Sequence, residues 1–121
     1  MSVNFRPIQA LRLWHDVTLD IVREDDFDLS QRQMAILLTI YLEMPPHTVR
    51  GLAKRLNVTK PVITRALDTM GGLDLVSRRR DDLDRRNVIV QRTVRGSLYL
   101  EKFSDRITRR LAEAEAGGAL P

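Results

Sequence analysis

Two short stretches of the chain carry side chains suited to recognising a polyanion. In the first, Thr59, Lys60, Pro61, Thr64 and Arg65 combine cations with hydroxyls that both donate and accept hydrogen bonds, at a spacing that lets one helix present them together. In the second, Arg78, Arg80, Asp84, Arg85 and Arg86 crowd guanidinium groups, whose planar fork of donors fits phosphate oxygens and base edges alike. The excess charge is local. Residues 75–95 hold seven arginines against three aspartates, and residues 48–74 hold five basic and two acidic side chains. Residues 1–47 are acidic, with four basic and seven acidic side chains, and residues 96–121 carry four of each. Seven arginines are more than three aspartates can neutralise, so the middle of the chain is expected to face a polyanion.

Composition bounds the alternatives. With 121 residues, 43% hydrophobic and 30% charged, the chain suits a single domain spanning residues 1–121. The absence of cysteine excludes disulfides, thiolate nucleophiles and Cys-ligated zinc. His15 and His47 lack any ligand-type spacing, so neither a metal nor a cofactor is expected. The glycines at 51, 71, 72, 96, 117 and 118 form no phosphate-cradling loop, and Asp25 and Asp26 sit in an acidic turn. Catalysis is therefore not expected. The longest nearly apolar run, Met34 to Leu42, falls well short of the roughly 20 residues of a membrane span, and no basic-then-apolar start suggests a signal peptide. A cytoplasmic location is the expectation.

The elements that must position the two stretches follow from periodicity. Ile8, Leu11, Trp14, Val17, Ile21 and Val22 predict an amphipathic helix from Pro7 to Arg23. Ser30 and Gln33 form a capping box for a second helix, Gln31 to Glu43, apolar on several sides and stopped by Pro45 and Pro46. Thr48 caps a third helix through Leu56, and Thr59 a fourth. On the fourth, Ile63, Ala66, Leu67 and Met70 share one side while Pro61, Thr64, Arg65 and Asp68 share the other; it is expected to end near Gly71 and Gly72, where a left-handed residue costs little. Leu75–Arg79 and Val88–Arg92 predict a β-hairpin with a charged tip. Thr93 caps a last helix striped by Leu100, Phe103, Ile107 and Leu111, and residues 117–121 are expected to fray.

Helix, helix, hairpin is the order of a winged helix-turn-helix, a mainly α fold with a small β-hairpin. In it the fourth helix would read the major groove, and the hairpin arginines Arg85 and Arg86 would reach the neighbouring minor groove. The residues also resemble a known family. Ala53-Lys54-Arg55-Leu56-Asn57-Val58-Thr59, Val62-Ile63-Thr64-Arg65, Leu75-Val76-Ser77-Arg78-Arg79, Asp84-Arg85-Arg86-Asn87-Val88 and Thr93-Val94-Arg95-Gly96 resemble the MarR family of bacterial transcription regulators over roughly residues 30 to 100. The resemblance implies a homodimeric repressor of pseudo-palindromic double-stranded DNA, often released by a small-molecule effector. It implies a DNA-binding winged helix-turn-helix over residues 30–95 and N- and C-terminal dimerisation helices over 5–24 and 94–116. Asp84 would orient the wing, and Arg85 and Arg86 would contact backbone and minor groove.

The chain departs from the family at Asp74, which stands where a glycine usually precedes the first wing strand; aspartate tolerates the left-handed conformation such a turn needs. Val62 replaces a usual Ser or Thr, and the C-terminal dimerisation region is abbreviated, which favours a second reading as an effector-independent constitutive regulator. A winged-helix adaptor for an acidic protein partner is the other alternative. Trp14 and His15 are read as core or dimer-seam residues, His47 as a loop residue, and Arg50 and Arg55 as either phosphate contacts or a solvated helix face.

Overall fold

A computed structural model describes residues 6–117, which fall into two compact units. One holds residues 29–99, the other residues up to 28 together with those from 100 onwards. The expected fraying at 117–121 lies mostly outside the described residues.

The larger unit contains α2 (Gln31–Leu42), β1 (His47–Thr48), α3 (Val49–Leu56), α4 (Lys60–Gly72), β2 (Val76–Arg80), β3 (Val88–Arg92) and the start of α5 (Val94–Gly117). Its core is Ile36, Leu37 and Ile40 of α2, Leu52 of α3, Ile63, Leu67 and Met70 of α4, Leu75 just before β2, and Val76 and Val90 of the sheet, all at most 3% exposed. The predicted capping box is present: the Ser30 hydroxyl accepts from the Gln33 N–H and the Gln33 side chain accepts from the Ser30 N–H. α2 ends at Leu42 with Glu43 as its C-cap, close to the predicted end, while Leu42 itself is 77% exposed and takes no part in the core.

The sheet has three strands, ordered β1-β3-β2 and antiparallel throughout, where the sequence predicts only the hairpin. β1 is the surprise: His47 pairs with Val90 and Thr48 with Ile89. His47 is thus a 9%-exposed strand residue and not a loop histidine, with Nε2 3.1 Å from the Glu43 carbonyl at the end of α2. Arg92 serves the same helix end, its Nε donating to the Ile40 carbonyl at 2.9 Å. Two residues of strand are too short for alternation to be visible in sequence.

Two turns aim α4. After α3, Asn57 adopts φ 58° while its N–H reaches the Lys54 carbonyl and the Val58 N–H reaches Ala53. After α4, Asp74 adopts φ 58°, its N–H on the Gly71 carbonyl and the Leu75 N–H on Met70. Both are six-residue helix stops that need a left-handed residue just past the helix, and Asn and Asp tolerate it best after glycine. α4 ends at Gly72, where the sequence predicts, but the left-handed conformation falls to Asp74 and not to either glycine.

The last helix starts on a crowded joint. The Thr93 hydroxyl accepts from the Gly96 N–H at 2.9 Å and donates to the Asp74 carbonyl at 2.7 Å. The Tyr41 hydroxyl accepts from the Thr93 N–H at 2.9 Å and donates to the Leu75 carbonyl at 2.7 Å. A Cβ on Gly96 would collide with both the Tyr41 hydroxyl and the Leu75 carbonyl, which explains the Thr-x-x-Gly spacing.

The smaller unit contains α1 (Pro7–Glu24) and the rest of α5. Asp20, 2% exposed, accepts two hydrogen bonds from Arg110, at 2.6 and 2.7 Å. Asp25 accepts from Arg106 at 2.7 Å, and Val17 and Phe103 are buried. On the other face of α1, Ile8, Leu11, Trp14 and Val22 are 48–66% exposed, so Trp14 does not join the chain's own core. His15 is also exposed, its Nδ1 3.1 Å from Asp16 Oδ1. No helix among the described residues is long and apolar enough to cross a membrane.

Candidate nucleic-acid interface

α4 folds as an amphipathic helix with one buried and one open face, as its spacing predicts. Ile63, Ala66, Leu67 and Met70 are at most 6% exposed, whereas Thr59, Lys60, Pro61, Thr64 and Arg65 are exposed. Pro61 stands in the first turn, where a missing N–H costs nothing. Thr59 occupies the N-cap position but its hydroxyl makes no capping hydrogen bond, contrary to expectation. Backbone carries the cap instead: the Thr59 carbonyl accepts from Val62 and Ile63. The Lys60 and Arg65 side chains have no acidic partner among the described residues.

The hairpin stands beside α4. Pleating puts Val76, Arg78 and Arg80 of β2 on one face. Val76 enters the core, Arg78 donates to Asp68 of α4 at 2.7 Å, and Arg80 donates to the Arg85 carbonyl in the loop at 3.2 Å. Arg78 therefore fastens the hairpin to the helix, and Arg80 fastens the loop to its strand. Ser77 and Arg79 occupy the opposite face.

Asp84 organises the tip. Its carboxylate accepts from the Arg86 N–H at 3.1 Å and from the Arg86 Nε and Nη2 at 3.0 and 3.1 Å. Its carbonyl accepts from Asn87 at 2.9 Å. The Arg86 guanidinium, then its backbone N–H, and more distantly Arg50 hold the Asp84 carboxyl below the usual carboxylate range; Arg86 is raised in turn by Asp84. Arg85 is the looser of the two, its guanidinium 75% exposed and 3.6 Å from an Asp82 oxygen. The two arginines thus project at the tip, one oriented by a carboxylate and one nearly free.

Sequence reasoning left Arg50 and Arg55 undecided and passed over Arg32. Arg55 is committed to Glu43, which it holds through two hydrogen bonds of 3.0 and 2.8 Å. Arg50 is close enough to Asp84 to act on its charge. Arg32 lines an open groove of about 230 Å³ with Ser30 and Gln33 of the α2 start and Val62, Arg65, Ala66 and Thr69 of α4. Its proximity to α4 is a tertiary fact with no local signature.

The match to known proteins agrees with this geometry. The MarR family model matches residues 29–88, the span from the α2 cap to the start of β3. The chain belongs to the MarR family. The HTH-type transcriptional repressor YetL of Bacillus subtilis (strain 168) is 36% identical over 77 residues, covering 62% of this chain and 46% of that protein. The chain thus spans about half the length of that relative. Transcriptional regulator Tm0710 of Thermotoga maritima superposes with a TM-score of 0.74 at 22% identity, over 92% of this chain and 75% of its own. CouR, a transcriptional repressor solved bound to a 23-mer DNA duplex, gives a TM-score of 0.68 at 24% identity, over 86% of this chain and 70% of its own. The winged helix-turn-helix expected from helix, helix and hairpin is therefore the fold of this MarR chain.

Proposed function

We propose that the protein binds double-stranded DNA sequence-specifically and regulates transcription as a dimeric, cytoplasmic repressor. The observation that carries the reading is the placement of Thr59, Lys60, Pro61, Thr64 and Arg65 on the open face of α4, beside a hairpin tip bearing Arg85 and Arg86. In this reading α4 enters the major groove, where Thr64 and Arg65 meet base edges and Lys60 a phosphate, while Arg85 and Arg86 reach the minor groove or its rim. Asp84 orients Arg86; Arg78 and Arg80 act by holding the hairpin against α4 and its tip in shape.

The dimer rests on α1. A face bearing Ile8, Leu11, Trp14 and Val22 leaves large side chains in water, each of which gains roughly 1.5–3 kcal/mol when fully buried. A second copy, pairing α1 and the end of α5, covers that face and sets two α4 helices to read half-sites of a pseudo-palindrome about 10 base pairs apart. Release by a small-molecule effector belongs to the same reading. Genome-wide mapping of bound DNA, followed by a shift assay on the recovered sites against competitor duplex, tests it. Recovery of one recurring two-fold motif is expected, and failure to retain any duplex at low salt refutes it.

A further inference from the structure

We infer that α4 is gripped from both sides in the major groove, with Arg32, across a groove from Arg65, contacting a phosphate on the flank opposite the hairpin. The inference rests on the DNA-binding reading above and adds a contact region to it. α4 has two flanks on either side of the open ridge of Pro61, Arg65 and Asp68. On one, Arg78 of β2 binds Asp68 at 2.7 Å, so the hairpin lies there. On the other, Val62, Arg65 and Thr69 face Ser30, Arg32 and Gln33 across the groove of about 230 Å³.

The chemistry of that groove is cationic and unbalanced. Arg32 and Arg65 both line it, no carboxylate does, and neither guanidinium has an acidic partner among the described residues. Two like charges facing one cleft repel until an anion sits between them. Geometry says which anion. A helix with its side chains is about 10–12 Å across and the major groove about 12 Å wide, so a helix that fills it brings both walls within side-chain reach. Each wall is lined by the phosphates of one strand. The hairpin serves the wall on its flank, and Arg32 serves the other, while Arg65 stays on the ridge that faces the bases.

The test measures binding of the full chain to a mixed-sequence duplex of about three helical turns, by fluorescence anisotropy across a salt series, for the wild type, Arg32→Ala and Arg32→Lys. One lost phosphate contact lowers the slope of log affinity against log salt by about 0.9, which amounts to about five-fold in affinity near physiological salt. Arg32→Ala is expected to show both losses, equally on every duplex, and Arg32→Lys to recover the slope. Arg32 is exposed, so the melting temperature should stay put and serves as the folding control. If the wild type binds with a steep salt dependence and Arg32→Ala binds with the same slope and affinity, the second flank is overturned while the DNA-binding reading stands. If the wild type binds no duplex at any salt, the reading itself falls, and the inference with it.

Discussion

Replacing Gly96 by Ala tests the joint that sets the sheet and the start of α5 against α2. The new Cβ would meet the Tyr41 hydroxyl and the Leu75 carbonyl. The carbonyl is backbone and cannot swing aside, and the hydroxyl is held by hydrogen bonds of 2.7 and 2.9 Å to Leu75 and Thr93. Overpacking of this kind costs about 1–3 kcal/mol, and driving Tyr41 away adds about 1–3 kcal/mol for the polar groups it leaves unpaired. A loss of about 3 kcal/mol is a large part of the roughly 5–15 kcal/mol that holds a domain together, and lowers its melting temperature by about 10 °C. Urea and thermal denaturation of Gly96→Ala, Tyr41→Phe and the double variant measure it. Tyr41→Phe removes one of the two colliding atoms, so the double variant should cost less than the two single variants combined. Duplex binding below the melting transition should keep the wild-type salt slope, because no DNA-facing side chain changes. A Gly96→Ala protein that melts within about 2 °C of wild type, or single effects that add within about 0.5 kcal/mol, would refute the collision.

Other perturbations separate the roles assigned to the site and the termini. Arg85→Ala and Arg86→Ala should each lower the salt slope by about 0.9 on all duplexes, whereas Thr64→Ala and Arg65→Ala should shift preference between sequences by about 1–3 kcal/mol per base contact; competition binding on a panel of duplexes distinguishes them. Leu11→Glu should convert a dimer to monomers in sedimentation, since it places a charge in the exposed apolar face of α1. Asp20→Asn should destabilise by about 3 kcal/mol, the low end for a broken buried pair, because Arg110 is one quarter exposed and can recover water. The hydrogen bonds from Arg110 hold the Asp20 carboxyl below its ordinary range. Its stabilising contribution is therefore complete above the unfolded carboxylate pKa and fades as pH falls through the folded value. The wild type should thus lose melting temperature more steeply than Asp20→Asn between about pH 5 and pH 2.

The parts of the fold that were legible are those written in local chemistry. The Ser30–Gln33 box, the Thr93 cap and the buried face of α4 each follow from spacings of three and four residues, and all three are present. The misses came where tertiary contact outvotes local preference. α4 does end at Gly72, as the two glycines suggest, but the left-handed residue is Asp74, two positions on. β1 exists only because β3 offers its edge to His47 and Thr48. Leu42 reads as core and stands in water. At the site, the side chains on α4 and at the hairpin tip were legible as a set, but their division of labour was not. Nothing in the run Arg78-Arg79-Arg80 says that the first holds Asp68 and the third holds a loop carbonyl.

That division bears on how a basic sequence should be read for nucleic-acid binding. The formal charge of +4 conceals two kinds of cation. One is spent inside the protein: Arg55 on Glu43, Arg78 on Asp68, Arg92 on the carbonyls ending α2, Arg106 on Asp25 and Arg110 on Asp20. These hold the hairpin to α4 and, separately, α5 to α1, and a polyanion would have to break a formed bond to recruit them. The other population, Arg32, Lys60, Arg65 and Arg85, has no acidic partner among the described residues beyond the exposed 3.6 Å pair of Arg85 with Asp82, and lies on α4, on the α2 start beside it, and at the hairpin tip. Counterion release rewards only charges that are free to meet phosphate. The affinity of this chain for a duplex should therefore track the second set and be nearly blind to the first. Arg86 stands between the two, because its bonds to Asp84 are made at the exposed tip and aim the guanidinium outward without burying it.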